Sequence, residues 1–159
     1  PDPATFDPAE LAAGVAELAE RVREEKGLEF RAELTPQLVA RGNREFVAQA
    51  VANLLDNAAK YTPEGGAVVL RVRRRSSGEI EFSVTDTGPG VPESERARIV
   101  QRFVRLENSR NQPGAGLGLS LVAAVAESHR GRLEIDEGPG SVAGSGPGLR
   151  VALVLPRTS

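Results

Sequence analysis

Apolar residues along this chain change period in a fixed order, and that order leaves few folds open. A helical stretch comes first. Asp7-Pro8-Ala9-Glu10 combines a capping carboxylate, a proline suited to the first turn and a glutamate three residues after the cap. Leu11, Val15, Leu18 and Val22 then recur at helical spacing until Lys26-Gly27. Two short strands are expected at Glu29 to Leu34 and Leu38 to Arg41, parted by Thr35-Pro36. Asn43 can cap a second helix running to about Lys60, with the stripe Val47, Ala50, Val51, Leu54, Leu55 and Ala58. Val68, Leu70 and Val72 alternate with other residues, Ser76-Ser77-Gly78 turns the chain, and Ile80, Phe82 and Val84 alternate again, which predicts a central hairpin. A short helix is predicted over 92–101. Residues 104–115 carry no apolar period and are expected to form a mobile loop. A third long helix runs from Leu117 to about His129 with Leu121, Val122, Val125 and Ala126 inward, and strands at Arg132 to Asp136 and Leu149 to Leu155 follow. Helix, strands, helix, hairpin, helix, hairpin predicts a two-layer α/β sandwich with helices on one face of the sheet.

At 159 residues with 40% apolar content, one domain spanning 1–159 is expected, and Gly138 to Gly148 is taken as a flexible hairpin connection within it. The formal net charge is −2, which gives no broad electrostatic reason to bind nucleic acid or an anionic membrane. With no cysteine there is no disulfide framework, thiolate zinc site or thiol nucleophile, as in a reducing cytoplasm. No apolar run approaches a membrane span and no leader is apparent. The start Pro1-Asp2-Pro3 and the absence of methionine suggest an excised part of a larger parent.

Four separated segments carry the polar chemistry. On the second helix Asn53 and Asn57 lie one turn apart, with Lys60 about another turn along, beside the apolar stripe. Asparagine is a mediocre helix former, so two in a helix interior need a reason. Their amide oxygens are hard neutral ligands suited to Mg²⁺; the alternative is a pair of boundary amides tying the helix to a loop. Asp86 ends an alternating strand and is followed by Gly88 and Gly90, which allow backbone to pass close to a ligand. A carboxylate there can accept a hydrogen bond from adenine N6, where guanine presents an oxygen; a plain turn is the alternative. Gly114, Gly116 and Gly118 precede and open the third helix, so its free N–H groups can meet phosphate, or can serve only as a cap. Neither the dinucleotide fingerprint nor a P-loop is present. Arg105 and Arg110 flank the loop and can fold onto phosphates, and Phe103 can anchor it; both arginines can equally be solvated surface. The run Arg71, Arg73, Arg74, Arg75 is expected to be a solvated face at a hairpin end. His129, the lone histidine, falls at a helix end where a cation suits the dipole, and no phosphoacceptor role is expected of it.

Taken in order, Asn53-Leu-Leu-Asp-Asn57-Ala-Ala-Lys60-Tyr61, Asp86-Thr-Gly88-Pro-Gly90, Arg102-Phe103-Val104-Arg105 and Gly114-Ala-Gly116-Leu117-Gly118-Leu119 resemble the catalytic and ATP-binding domain of bacterial sensor histidine kinases, within the gyrase, Hsp90, histidine kinase and MutL superfamily. The resemblance covers nearly the whole chain and implies the Bergerat fold, a mixed sheet with a mobile ATP lid. It implies ATP and Mg²⁺ as ligands, with Asn57 as main metal ligand and Asn53 assisting. Lys60 and Arg105 would contact phosphates, Tyr61 would flank the nucleotide and Asp86 would hold adenine N6. Gly114, Gly116, Leu117, Gly118 and Leu119 would form the hinge and phosphate side of the lid. The chain has His129-Arg130-Gly131 where family members often show His-Gly-Gly.

Asn53 discriminates within that superfamily. Gyrase-like ATPases place a glutamate one turn before the metal-binding asparagine as general base, and an amide cannot take a proton. The resemblance therefore implies phosphoryl transfer to a histidine on a separate helical-hairpin domain of the parent. A response regulator would follow indirectly. The parent would be cytoplasmic or anchored in the inner membrane, this domain touching neither membrane nor nucleic acid. A regulatory nucleotide-binding module and a self-contained ATPase are the alternatives.

Overall fold

A computed structural model of the chain describes residues 5–20, 24–25, 27–62, 64–86, 117–137 and 149–158. Their elements are strand β1 (Thr5–Phe6), helix α1 (Pro8–Leu18), strands β2 (Glu29–Leu34) and β3 (Ala40–Arg41), helix α2 (Arg44–Tyr61), strands β4 (Ala67–Arg74) and β5 (Ile80–Asp86), helix α3 (Leu117–Ser128), and strands β6 (Arg132–Glu137) and β7 (Leu149–Leu155). The five-stranded sheet has the order β2-β4-β5-β7-β6. β2 runs parallel to β4 and the other neighbours are antiparallel, so the sheet is mixed as expected.

Local chemistry sets the helix starts. The Asp7 carboxylate accepts from the N–H groups of Ala9 and Glu10, and the Asn43 side chain accepts from that of Phe46. α1 is shorter than the periodicity predicts: it ends at Leu18 with Ala19 as its C-cap, and helical residues recur at Glu20 and Glu24–Glu25. Val22 and Lys26 lie outside the described residues. The predicted strand from Leu38 shrinks to Ala40–Arg41, because its partner is the two-residue β1, which the sequence reading missed.

The core lies between the helices and one sheet face. Every stripe residue of α2, from Val47 to Ala58, is buried. Val122, Val125 and Ala126 of α3 join Leu70, Phe82 and Leu153 of the sheet in the same cluster. Burying side chains of this size contributes about 1.5 to 3 kcal/mol each.

The other sheet face is polar and tightly paired. Glu81 is 0% exposed. It receives Arg73 and Arg75 from the β4 side and Arg150 from β7. Arg75 also donates to Glu134 on β6 at 2.9 Å, so its guanidinium lies across β7, where Ala152 and Val154 are fully covered. Burial alone would push the Glu81 carboxyl up, but the three guanidiniums outweigh it and hold it at about 2. The Arg75 guanidinium, assisted by Arg132, likewise holds Glu134 at about 2 against its burial. The basic run is therefore only partly the solvated face expected of it. Arg74 is exposed, whereas Arg75 keeps only 19% of its side chain in solvent because two carboxylates converge on it.

Candidate nucleotide site

Helix geometry places Asn53, Asn57 and Lys60 within one strip of α2, about 60° wide. Asn53 and Asn57 are half-buried and Lys60 is exposed, while Leu54, Leu55 and Ala58 turn into the core. The asparagines therefore sit at the rim of the helix layer. α2 stops just past them, where the buried Thr62 hydroxyl donates to the Ala58 carbonyl at 2.6 Å and its N–H donates to the same oxygen. Both groups cap an otherwise open carbonyl.

Strand alternation puts Asp86 on the helix side of the sheet with Phe82 and Val84, opposite in direction to Glu81 and Ser83. It is 6% exposed and stands between Val68 and Leu149 at the end of β5. Val68 and Asn53 border one cavity, so this end of the sheet lies beneath the Asn53 turn of α2. A buried carboxylate at that position suits recognition of an amine-bearing base edge.

The third component arrives through helix packing. The C-terminal end of α3 meets the N-terminus of α2, where the Asn43 N–H donates to His129 Nε2 at 3.0 Å, so the two packed helices run antiparallel. Twelve residues of α3 rise about 18 Å, which returns Leu117 to about the level of Leu55. The glycine-bearing start of α3 and the asparagine strip of α2 are thereby neighbours, although separated by some sixty residues of sequence.

The structure thus places Asn53 and Asn57 at about the level of the backbone of Leu117, Gly118 and Leu119, with Lys60 further along α2 and Asp86 at the end of β5. Tyr61 is the last residue of α2; its side chain lies outside the described residues, as do Gly88, Gly90, Phe103, Arg105, Arg110, Gly114 and Gly116, the predicted helix 92–101, and the loops 104–115 and 138–148. Among the described residues no group of three or more His, Cys, Asp or Glu could hold a metal. Among the described residues Asn53 and Asn57 offer amide oxygens, which are hard neutral donors.

The same cavity, about 300 Å³, lies between α1, β2 and α2 and is lined by Val15, Leu28, Phe30 and Leu55 as well. It lacks Asp86, Asn57 and Lys60 and is chiefly apolar, unlike a pocket for a charged nucleotide. His129 departs from its expectation. Its Nε2 accepts a hydrogen bond, so the imidazole is neutral there and not a cation paired with the helix dipole. Sequence reasoning also passed over Thr62 and Glu81, whose burial depends on neighbours remote in sequence. Among the described residues no helix is long and apolar enough to cross a membrane.

Residues 42–159 match the family described as histidine kinase-, DNA gyrase B- and HSP90-like ATPases. The signal transduction histidine-protein kinase/phosphatase MprB of Mycolicibacterium smegmatis is 40% identical over 154 residues, covering 96% of this chain and 30% of that protein. The adaptive-response sensory kinase SasA of a Synechococcus strain is 35% identical over 144 residues, covering 90% of this chain and 37% of that protein. The chain thus spans about a third of the length of the curated relatives it matches. Among solved structures, a mycobacterial MprB sensor kinase superposes with TM-score 0.78 at 36% identity, each chain 99% covered. Full-length ShkA, solved with AMPPNP, superposes with TM-score 0.79 at 32% identity over 97% of this chain and 31% of its own. The asparagine-rich α2, the aspartate closing β5 and the glycine-opened α3 stand on the mixed sheet of that fold, and the chain belongs to the histidine kinase-, DNA gyrase B- and HSP90-like ATPase family as a catalytic and ATP-binding domain of the sensor histidine kinase type.

Proposed function

We propose that this chain, as one domain of a larger sensor kinase, binds Mg·ATP and presents the γ-phosphate to a histidine on a separate helical-hairpin domain of its parent. The observation that supports this reading is the antiparallel pairing of α2 and α3, with Asn53 and Asn57 at about the level of the start of α3 and Asp86 buried at the end of β5. Asn57 would be the main metal ligand, and Asn53 would assist it through the metal or the phosphates. Mg²⁺, when bound, supplies charge neutralisation along the triphosphate. Lys60 and Arg105 would contact phosphate oxygens, and Tyr61 would flank the nucleotide. The N–H groups around Gly114, Gly116, Leu117, Gly118 and Leu119 would face the phosphates, Gly88 and Gly90 would let backbone approach the base, and Asp86 would accept from adenine N6.

Position 53 is an amide and cannot serve as a general base for water. On this reading the attacking group comes from another domain, a histidine whose phosphate would pass on to a response regulator. Such a parent would work in the cytoplasm, free or tethered at the inner membrane.

The test joins this domain to its parent's hairpin and follows labelled ATP, with binding to this chain alone measured in parallel. Label on a hairpin histidine, absent in its alanine variant, is expected. Tight Mg·ATP binding with no labelled protein would make the chain a regulatory module. Multiple turnover by the chain alone would make it a self-contained ATPase.

A further inference from the structure

His129 and Gly42 form a junction that the nucleotide site itself does not use. Asn43 is the N-cap of α2, and its side chain satisfies the Phe46 N–H. In a self-contained capping box the third helical residue would reach back to the N-cap N–H, but here that residue is Phe46 and has no acceptor. His129 takes over the role from another helix, accepting the Asn43 N–H on Nε2 at 3.0 Å. Its other ring nitrogen, Nδ1, lies 2.8 Å from the Val125 carbonyl, an acceptor only, so Nδ1 carries the proton and Nε2 the lone pair. Ser128 Oγ, 3.1 Å from Nδ1 and itself 3.0 Å from the Val125 carbonyl, closes the arrangement.

The ring's seat is also fixed sterically. A Cβ at Gly42 would collide with Cδ2 and Nε2 of His129, so the absent side chain is what admits the imidazole. Residue 129 itself is held by the turn that ends α3: Arg130 N–H donates to Glu127 and Gly131 N–H to Ala126, the paired bonds of a Schellman motif. A side chain at Gly131 would strike the Val154 carbonyl, so this turn is pressed onto β7.

We infer that His129 is a positioning residue for the nucleotide site: its neutral, Nδ1-protonated imidazole fixes the register of α3 against α2, and so the height at which Leu117–Leu119 faces Asn53 and Asn57. The inference rests on the proposed site. It acts over about 18 Å, along two helices that also pack against each other through the core.

The chain holds one histidine, so a domain labelled with ¹⁵N gives a single imidazole spin system. The expected spectrum shows Nδ1 protonated and Nε2 as a bare acceptor, with a coupling across the hydrogen bond to the Asn43 N–H. Mg·ATP affinity is then measured on folded wild type, His129→Phe and His129→Gln. Phenylalanine fills the seat without an acceptor and is expected to weaken binding about tenfold, whereas the glutamine carbonyl oxygen can stand where Nε2 stood and is expected to restore it to within about threefold. A spectrum with Nε2 protonated, wild-type affinity in His129→Phe, or a His129→Gln variant as weak as His129→Phe would each overturn the inference. If His129→Phe does not fold, His129→Gln against wild type decides, and a loss of about tenfold overturns the inference. Failure of the wild type to bind Mg·ATP would instead sink the site proposal, leaving the tautomer result standing.

Discussion

Two side chains in the proposed site separate binding from folding. Asn57 is half-buried beside the apolar stripe and outside the core, so a change there need not disturb packing. Asn57→Asp is expected to weaken Mg·ATP binding by about tenfold, about 1.4 kcal/mol, because an added charge alters the balance of metal and phosphate. Thermal unfolding should change little. A melting temperature that falls in step with affinity would return Asn57 to a structural role. Asp86 is buried at the strand end, where the carboxylate is proposed to accept from the base. In Asp86→Asn an amide can present a donor in its place, and the lost pairing should cost about 1 to 3 kcal/mol of the preference for ATP over GTP. Competition binding with the two nucleotides checks this, and an unchanged preference would remove Asp86 from base recognition.

At the scale of elements, the end of α3 holds a strained residue that the sequence only hinted at. Arg130 has φ of +59°, the left-handed conformation that the C′ position of a Schellman turn requires. Any side chain with a Cβ is strained there, at a cost of about 1 to 2 kcal/mol. Arg130→Gly is expected to raise unfolding stability by about 0.5 to 1 kcal/mol once the greater freedom of glycine in the unfolded chain is deducted. Urea denaturation measures it, and a loss of stability would mean that the arginine side chain makes a contact outweighing its strain. The helices were legible for local reasons: the caps Asp7 and Asn43, and the stripe from Val47 to Ala58, lie close together in sequence. The β1–β3 bridge was not, because two residues pairing with two residues leave no periodic signal. The bond from His129 to Asn43 spans 86 positions, so no local pattern announces it.

Across the whole molecule the sheet separates two kinds of chemistry. Its helix side carries the proposed site, and its other side carries the arginine and carboxylate lattice centred on Glu81. The alternation of β5 showed that Glu81 faces away from the core, but its burial comes from Arg73, Arg75 and Arg150, which only the strand order gathers. Its carboxyl falls from an ordinary 4.5 to about 2 in the folded chain. A depressed folded value stabilises above the unfolded value, so the contribution, roughly 3 kcal/mol, is complete above about pH 4.5 and is lost as pH falls toward about 2. Glu134 adds in the same direction and window. Glu81→Gln should destabilise by about 3 kcal/mol at neutral pH, since it leaves guanidiniums without their charge partner. It should also flatten the acid limb of the stability curve, and leave Mg·ATP affinity at neutral pH unchanged. Urea denaturation across a pH series reads the first two effects, and curves that stay parallel would show that the lattice does not hold Glu81 ionised.

The α3 helix is held at its C-terminal end by bonds of fixed direction, and this gives that end the place of a fulcrum. One end is seated by the Schellman turn, by the close approach of Gly131 to β7 and by the imidazole on Asn43. The far end opens at Gly118, and in the sequence Gly114 and Gly116 alternate before it. With a fulcrum at residue 129 and an arm of about 18 Å, a tilt of only about 10° sweeps the start of the helix through about 3 Å. That travel is comparable to the length of a single hydrogen bond, and because Leu119 is buried in the core it requires that side chain to repack, so a phosphate contact at this end is made or broken together with the packing of Leu119.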